Sequence, residues 1–263
     1  MTTVGDILKF METLAPRAMK MDWDYVSLLC GSKRQEVRKV LIALDPFEGV
    51  CREAAEVGAD MIVTHHPLIF SPLKSITDET GIGRSLQLLC RHGISAVNAH
   101  TNLDCAPGGV NDVLAAKLGL RDIRVIAPSG TDEEGREWGL LRCGYVEEQA
   151  LERFLPQVKE RLGAKGLRYV NGGKPVHKVA VGGGSCAGEM LEALEAGCDT
   201  FVTADVKYNQ FWDAHDLGLN LIDAGHFATE DPVTVYLKEK LSAAFPEVEF
   251  LISGTHRDCM AFF

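Results

Sequence analysis

Two adjacent histidines, His65 and His66, stand at the end of an apolar run in the segment VTHHPLIF, which spans Val63 to Phe70. Neighbouring residues on an extended chain point to opposite faces, so the two imidazoles are not placed to bind one ion together. Near the end of a strand they can instead reach two different ions, or one ion and a residue that orients its ligands. Pro67 ends the strand and limits how the two histidines can move. On its own the pair favours two ordinary surface histidines, so other residues must decide.

Residue types that bind metals also follow two other predicted strands. The segment NAHTNLD covers Asn98 to Asp104, and GHFATE covers Gly225 to Glu230. His226 and Glu230 are four residues apart at the start of a predicted helix and therefore lie on one face of it. Imidazole and carboxylate ligands suit Zn, Mn or Fe, and a two-metal site needs a bridging carboxylate with one or two histidines per ion. His226 and Glu230 also fit a helix cap, but a cap does not explain the histidines elsewhere.

Other polar residues near these segments admit more than one role. His100 fits either a general acid or base lining the pocket or an anchor for its loop. Asp205 and Lys207 fit the orientation of ligands, the binding of a phosphate, or a simple ion pair. The glycines at 182–184 fit either a phosphate cradle or a tight turn between strand and helix. We assign structural roles to the residues without a partner pattern, which are His92, His177, His215 and Cys186.

Short apolar runs alternate with helical patterns, which indicates an α/β protein with a mainly parallel sheet. The predicted strands cover 37–44, 60–64, 94–98, 140–145, 178–181, 200–203 and 219–223. The predicted helices cover 1–16, 47–56, 82–91, 110–118, 147–161, 188–196, 210–217 and 229–244. The section from Arg121 to Asn171 changes character, and we interpret it as an insert or as the start of a second domain.

The second half of the chain repeats features of the first. A shift of 139 positions aligns VRKVLI (37–42) with VHKVAV (176–181), and AAEVGADMIVTHH (54–66) with ALEAGCDTFVTAD (193–205); a shift of 125 aligns GISAVNA (93–99) with GLNLIDA (218–224). Three matches in the same order suggest two related α/β units. Because ligand sites in parallel sheets collect beyond the carboxyl ends of strands, the repeat brings the histidines and acids described above toward such ends.

Length and composition exclude several classes of protein. The 263 residues suffice for one large or two ordinary domains, with a core that does not depend on a metal or a disulfide. The net charge of -10 argues against a binder of phosphate backbones, so a nucleic acid is not an expected partner. No apolar run approaches the roughly 18 to 20 residues that span a bilayer, and we expect a cytoplasmic protein with no membrane partner. The eight cysteines include no C-x-x-C pair, which favours small buried side chains over a zinc-finger or redox motif.

Taken together, these segments resemble one family, the GTP cyclohydrolase 1 type 2 homologues, also called the NGG-interacting-factor-three-like family. The resemblance covers nearly the whole chain and is carried, in the family's order, by THHPLIF, NAHTNLDCAPGGVND, VGGGSCAG, TADVKY and AGHFATE. The chain has Asn209 where the family often has a histidine, and Glu134 where the family's G-x-G-R-x-G turn begins with glycine. Neither departure touches an implied ligand, but both bear on substrate binding.

The resemblance implies two divalent metal ions per chain, either Zn, Mn or Fe, in a cleft between two similar α/β lobes. The ligands that it implies are His65, His66, Asp104, His226 and Glu230, with Glu230 bridging the ions. It also implies a homohexamer built as a trimer of dimers. We place the first lobe at residues 1–124 together with 219–263, and the second at 125–218.

The function expected from this resemblance is metal-dependent hydrolysis of a small molecule, such as a nucleotide or a related heterocycle. Two ions would activate a shared water and polarise the electrophile, and His100 would act as the proton donor. A first alternative is a phosphoester hydrolase, in which Lys207 and the glycine turn hold phosphate. A second alternative, from a different class, is a metal-stabilised interaction scaffold without turnover.

Overall fold

A computed structural model describes residues 1–263, and its internal packing divides the chain into two units. The first unit comprises Met1–Leu103 and Val233–Arg257, and the second comprises Asp104–Pro232 and Asp258–Phe263. The expected lobes differ from these units at residues 104–124, 219–232 and 258–263. The strand at Asn220–Asp223 pairs within the sheet of the second unit, and Leu114 belongs to a core cluster of that unit, so both segments pack there.

The first unit contains a five-stranded sheet in the order β1-β4-β3-β2-β13. Its strands are β1 (Leu28–Cys30), β2 (Lys39–Ala43), β3 (Met61–Thr64), β4 (Ser95–Asn98) and β13 (Glu249–Ile252). All pairings are parallel except that of β1 with β4. The helices are α1 (Val4–Leu14), α2 (Glu48–Glu56), α3 (Gly81–His92) and α10 (Pro232–Ala244), with α4 (Thr101–Cys105) at the boundary between the units.

Local sequence explains where these helices begin and end. Thr3 caps α1, since its hydroxyl accepts a hydrogen bond from the Asp6 N–H while the Asp6 side chain accepts from the Thr3 backbone. The Thr80 hydroxyl caps α3 by accepting a hydrogen bond from the Gly83 N–H, and Gly93 ends that helix with a φ of 64°. No helix of the chain combines the length and the apolar character that crossing a bilayer requires.

The second unit contains a six-stranded sheet in the order β5-β8-β10-β11-β12-β9 and a two-stranded sheet of β6 and β7. Its strands are β5 (Arg121–Ile126), β6 (Gly130–Thr131), β7 (Glu137–Trp138), β8 (Leu141–Gln149), β9 (Arg168–Val170), β10 (Val176–Val181), β11 (Thr200–Thr203) and β12 (Asn220–Asp223). Its helices are α5 (Val110–Lys117), α6 (Leu151–Leu162), α7 (Met190–Glu195), α8 (Tyr208–Asp216) and α9 (His226–Glu230). A short 3-10 turn occupies Ala187–Glu189 in this unit, and another occupies Arg17–Met19 in the first unit.

The α/β class expected from the sequence is confirmed, but the mainly parallel sheet holds only for the first unit. In the second unit β10, β11 and β12 are parallel, whereas β5, β8 and β9 pair antiparallel. The predicted helix at 147–161 begins only at Leu151, because β8 continues to Gln149 along its partner β10. The predicted helix at 229–244 is divided at Asp231 and Pro232 into α9 and α10.

The first unit has four adjacent parallel strands and the second has three, and the pair β2–β3 shares its pairing register with the pair β10–β11. Val40 lies opposite Met61 in the first unit, and Val179 lies opposite Thr200 in the second. The same shift of 139 positions relates both members of these pairs. The register therefore agrees with the alignment of the two halves, and their origin as a repeat stays a prediction.

The central parallel strands are buried on both faces, as sheets covered by helices on both sides require. Every residue of β3, β4, β11 and β12 is buried. In the second unit successive residues of one strand belong to two different core clusters, Val179 and Val181 to one and Ala180 to the other. Ligand sites in such sheets are expected beyond the strand ends, which is where the candidate site residues are found.

Candidate metal centre

In the first unit the carboxyl ends of β2, β3 and β4 lie side by side. Thr64, the last residue of β3, pairs with Ala43 of β2 and Asn98 of β4. Backbone hydrogen bonds continue past the strands, from the His66 N–H to the Leu44 carbonyl at 2.9 Å and from the Ala99 N–H to the Thr64 carbonyl at 3.0 Å. The residues that follow the three strands are thus held at one edge of the sheet.

The two adjacent histidines at this edge are each fixed through one ring nitrogen. His65 is buried, and its Nδ1 lies 2.9 Å from the Ala99 carbonyl oxygen, which can only accept a hydrogen bond. His66 Nδ1 lies 2.6 Å from Oδ1 of Asp45, a residue that follows β2. In both rings Nδ1 therefore carries the proton, and when the ring is neutral Nε2 presents a lone pair. Metal-binding histidines commonly show this arrangement, because the acceptor behind the ring fixes its tautomer and orientation.

His100, which follows β4, has an equivalent support. Its Nδ1 lies 3.1 Å from Oδ1 of Asp24, whose side chain is 3% exposed. Burial raises the pKa of Asp24, but hydrogen bonds from His100 and Thr101 outweigh it and lower the pKa to about 2. Asp24 is therefore a carboxylate at neutral pH, and it faces the third imidazole at 3.1 Å, a longer contact than the 2.6 Å hydrogen bond between Asp45 and His66.

The three imidazoles converge. One ligand atom from each of His65, His66 and His100 lies within 4.8 Å of the others. The ring centroids are 4.9 Å apart for His65 and His66, 5.4 Å for His65 and His100, and 5.7 Å for His66 and His100. Three rings with Nδ1 atoms facing oxygens at this separation form a donor set that suits Zn or Fe.

The second unit contains a histidine between two carboxylates. His226 follows β12 after Gly225 and begins α9, and its Nδ1 lies 2.7 Å from Oδ2 of Asp205, which follows β11. Its Nε2 lies 3.0 Å from Oε2 of Glu230, one helical turn later. Because Nδ1 donates to Asp205, Nε2 either carries a second proton toward Glu230 or shares a cation with it.

The separation between His226 and Glu230 fits two ligands of one ion. Metal bonds of about 2.1 Å that meet at 90° to 109° place the two ligand atoms about 3.0 to 3.4 Å apart. The observed 3.0 Å between Nε2 and Oε2 lies in this range. Glu230 is 4% exposed, and a buried carboxylate needs a cationic partner to offset its loss of hydration.

Gly184 makes room for this pair. Its φ of +61° is a left-handed conformation, and a Cβ atom there would lie 2.0 Å from Oε1 of Glu230 and 3.1 Å from Nε2 of His226. The Gly184 N–H donates to the Thr229 hydroxyl at 3.0 Å, which fixes the turn against α9. The sequence left two roles open for the glycines at 182–184, a phosphate cradle or a tight turn. In the structure Gly184 lies in a turn, against the carboxylate of Glu230.

Asp104 lies in α4, four residues after His100, and is 7% exposed. The chain beyond it is held by Arg142, a buried arginine of β8 that is paired with Asp112 at 2.9 Å. Arg142 Nη2 donates to the carbonyl oxygens of Cys105 and Ala106, both at 3.1 Å. A buried charge with this many acceptors fixes the backbone next to Asp104.

The other residues considered in the sequence lie outside these groups of ligands or make other contacts. Lys207 is exposed, and Asp205 forms its ion pair with His226 instead of with this lysine. His92 is exposed at the end of α3, and His177 Nδ1 lies 2.9 Å from the Val146 carbonyl oxygen. His215 is exposed beside Asp216, and Cys186 is buried in the core of the second unit.

Asp45 and Asp24 were missed by the sequence analysis. Asp45 stands directly beyond β2, so the rule that selected His65 and His66 at a strand end also applies to it. Asp24 precedes β1 and meets Thr101 across 77 positions of sequence, so no local pattern reveals its role.

A model of the Duf34/NIF3 (NGG1p interacting factor 3) family matches residues 2–258 of the chain. A protein of Clostridium perfringens named GTP cyclohydrolase 1 type 2 homolog is 34% identical over 262 residues, which cover 98% of this chain and 99% of that protein.

Solved structures of similar chains agree with this match. A Bacillus cereus protein related to NIF3 superposes with a TM-score of 0.94 at 28% identity, covering 100% of this chain and 99% of the other. A hypothetical protein of Staphylococcus aureus has a TM-score of 0.88 at 29% identity, with 99% of both chains covered.

Proposed function

This chain belongs to the Duf34/NIF3 family, and we propose that it is a dinuclear, divalent-metal-dependent hydrolase acting on a nucleotide or a related heterocycle. The observation that carries the proposal is the convergence of His65, His66 and His100, each with Nδ1 beside an oxygen acceptor. Structural histidines have no need of three such supports at a single strand edge. Binding of a divalent cation explains this arrangement, because a metal ion requires neutral imidazoles that are held in a fixed orientation.

The proposed metal ligands are His65, His66, Asp104, His226 and Glu230, with Glu230 bridging. Two bound divalent ions of Zn, Mn or Fe would lower the pKa of a shared water and polarise the electrophile of the substrate. Asp45 and Asp205 hold His66 and His226 in the tautomer that leaves Nε2 for a cation. Gly184 leaves the space into which the Glu230 carboxylate fits.

His100 is the proposed proton donor to the leaving atom of the substrate. Its ring lies beside those of His65 and His66, and the Asp24 carboxylate 3.1 Å from Nδ1 orients it. If His100 serves as a further metal ligand instead, its replacement by alanine removes an ion. If it transfers a proton, the His100→Ala variant keeps its ions and loses turnover.

The proposed substrate class follows the name of the Clostridium perfringens relative, which refers to GTP cyclohydrolase. Opening a purine ring needs an activated water and a proton donor, and both roles are assigned above. The chain's net charge of -10 agrees with a small-molecule substrate that meets its countercharge at bound cations rather than at a basic surface.

The test is turnover by protein loaded separately with Zn²⁺, Mn²⁺ or Fe²⁺, across a panel of nucleotides, pterin precursors and phosphoesters. We expect the wild type to hydrolyse a heterocyclic substrate, and we expect His66→Ala to abolish that activity. His92→Ala is the matched control, since His92 is an exposed histidine of the same unit without such a support. Loss of activity in both variants would contradict the assignment.

Two other outcomes of the same panel identify the alternative functions. Turnover of phosphoesters alone indicates a phosphoester hydrolase, in which Lys207→Ala weakens substrate binding and leaves the metal content unchanged. Full metal content with no turnover of any compound indicates a metal-stabilised interaction scaffold.

A further inference from the structure

Two large aromatic side chains of the first unit are exposed beside the histidine cluster. Trp23 exposes 64% of its surface and Phe70 exposes 66%. Their ring centroids are 5.8 Å apart, with the ring planes inclined by 51°. Adjacent exposed aromatic rings leave apolar surface in water, which in a folded domain marks a surface that binds something.

Both rings of this Trp23–Phe70 pair border the imidazole of His100. The centroid of Trp23 lies 5.9 Å from that of His100, at 73°, and the centroid of Phe70 lies 6.4 Å from it, at 74°. Each aromatic ring thus presents its edge or face next to the proposed proton donor. A ligand that covers the pair is therefore placed next to His100.

Hydrogen bonds hold the loop that carries Trp23, both before and after this residue in the chain. The Met21 N–H donates to the Thr101 hydroxyl at 3.0 Å, and Asp24 accepts from the Thr101 N–H at 3.1 Å. The Tyr25 carbonyl oxygen accepts from Asn98 Nδ2 at 3.3 Å. Because the fold itself orders this loop, a ligand does not have to order the backbone that carries the indole, and binding loses less entropy.

We propose that Trp23 and Phe70 form an aromatic platform for the planar heterocyclic ring of the substrate, which stacks on one of the two rings and meets the other, inclined by 51° to the first, at an angle. The proposal rests on the proposed function, and it adds the part of the substrate that these residues bind. A heteroaromatic ring offers a π-face to stack on the exposed rings, whereas a phosphate does not. Stacking also places the ring atoms beside His100, where the proton is needed.

The chain's three tryptophans make the platform measurable. In a variant with Trp138→Phe and Trp212→Phe, the fluorescence reports on Trp23 alone. We expect guanosine and GTP to quench this emission in a saturable manner, and ribose 5-phosphate to leave it unchanged. Replacing Phe70 by leucine in the same background should weaken guanosine binding by roughly ten- to a hundredfold, the range of one lost stacking contact.

Trp212 provides a matched control within the chain. It is 53% exposed, and its ring centroid lies 5.6 Å from that of His215. The variant with Trp23→Phe and Trp138→Phe therefore reports on a second exposed indole beside an imidazole, but outside the histidine cluster. We expect no saturable quenching by guanosine in this variant.

Three results would overturn the platform: no quenching of Trp23 by guanosine, equal quenching of Trp23 and Trp212, or dissociation of an oligomer by Trp23→Leu. The last result would mean that a second copy of the chain covers the aromatic pair. Metal content measured on the same samples separates this proposal from the proposed function. Bound ions without guanosine binding contradict the platform alone, whereas guanosine binding without turnover of any substrate contradicts the hydrolase alone.

Discussion

Replacing Gly184 by alanine should remove metal binding through a displacement of Glu230. The alanine Cβ would lie 2.0 Å from Oε1 of Glu230, and ordinary contact begins at 3.4 Å, so the carboxylate must retreat by about 1.4 Å. Metal–ligand distances in working sites vary by only about 0.2 Å. Because the carboxylate leaves its position, we expect the affinity for Zn²⁺ to fall by at least about ten- to a hundredfold.

Backbone strain adds a separate effect that must be subtracted. Gly184 has a φ of +61°, and an alanine in this conformation costs about 1 to 2 kcal/mol of stability. Gly163 has nearly the same φ, +64°, with nothing within 4 Å of an added Cβ, so Gly163→Ala reproduces the strain without touching the site. Both variants should lose similar stability in urea unfolding, and only Gly184→Ala should lose affinity.

Zn²⁺ affinity is measured by competition with a chromophoric chelator on both variants and the wild type. The reasoning is refuted if Gly184→Ala and Gly163→Ala bind Zn²⁺ equally well. It is also refuted if Gly184→Ala binds Zn²⁺ as tightly as the wild type, since Glu230 would then not need the space beside Gly184.

Further predictions concern the supports of the site and the assembly. Asp45→Asn leaves His66 Nδ1 without its carboxylate at 2.6 Å and should weaken Zn²⁺ binding by about ten- to a hundredfold in the same chelator assay, while an unchanged affinity would show that His66 is not a ligand. Arg142→Met leaves Asp112 and several buried carbonyl oxygens unpaired, so urea unfolding should show a loss of about 3 to 5 kcal/mol, and a loss below about 1 kcal/mol would contradict the role given to Arg142. Light scattering should give about six times the chain mass of 28.7 kDa if the chain forms the proposed hexamer, and a stable monomer would contradict that proposal.

The sequence sufficed for the parts of the fold that short-range patterns determine. The run at 60–64 predicted β3 within one residue, because a buried parallel strand reads as a continuous apolar segment. The boundary between β8 and α6 was wrong, since the polar run Glu147 to Gln149 has no apolar alternation and is extended only by pairing with β10. Pairing with β10 determines the extended conformation of this segment, and no local sequence signal indicates it.

The candidate site also has parts that the sequence predicts and parts that it does not. The grouping of His65, His66 and His100 at one edge could be predicted, because parallel strands end at the same edge of a sheet. The support of His100 by Asp24 could not, since a loop before β1 meets a segment far along the chain. The role of Gly184 was also beyond the sequence, because a positive φ and the space for a carboxylate become visible only when α9 packs against the glycine turn.

The most direct test of the metal centre is the number of divalent ions per chain, measured by elemental analysis after dialysis of the wild type and of Glu230→Gln. The glutamine keeps the size of the side chain and removes the negative charge that offsets two adjacent cations, so it separates charge from packing. We predict two ions per chain in the wild type and the loss of one or both in Glu230→Gln. Two tightly held ions in Glu230→Gln would contradict the bridging role, and a wild type that retains no ion after loading would contradict the metal centre itself.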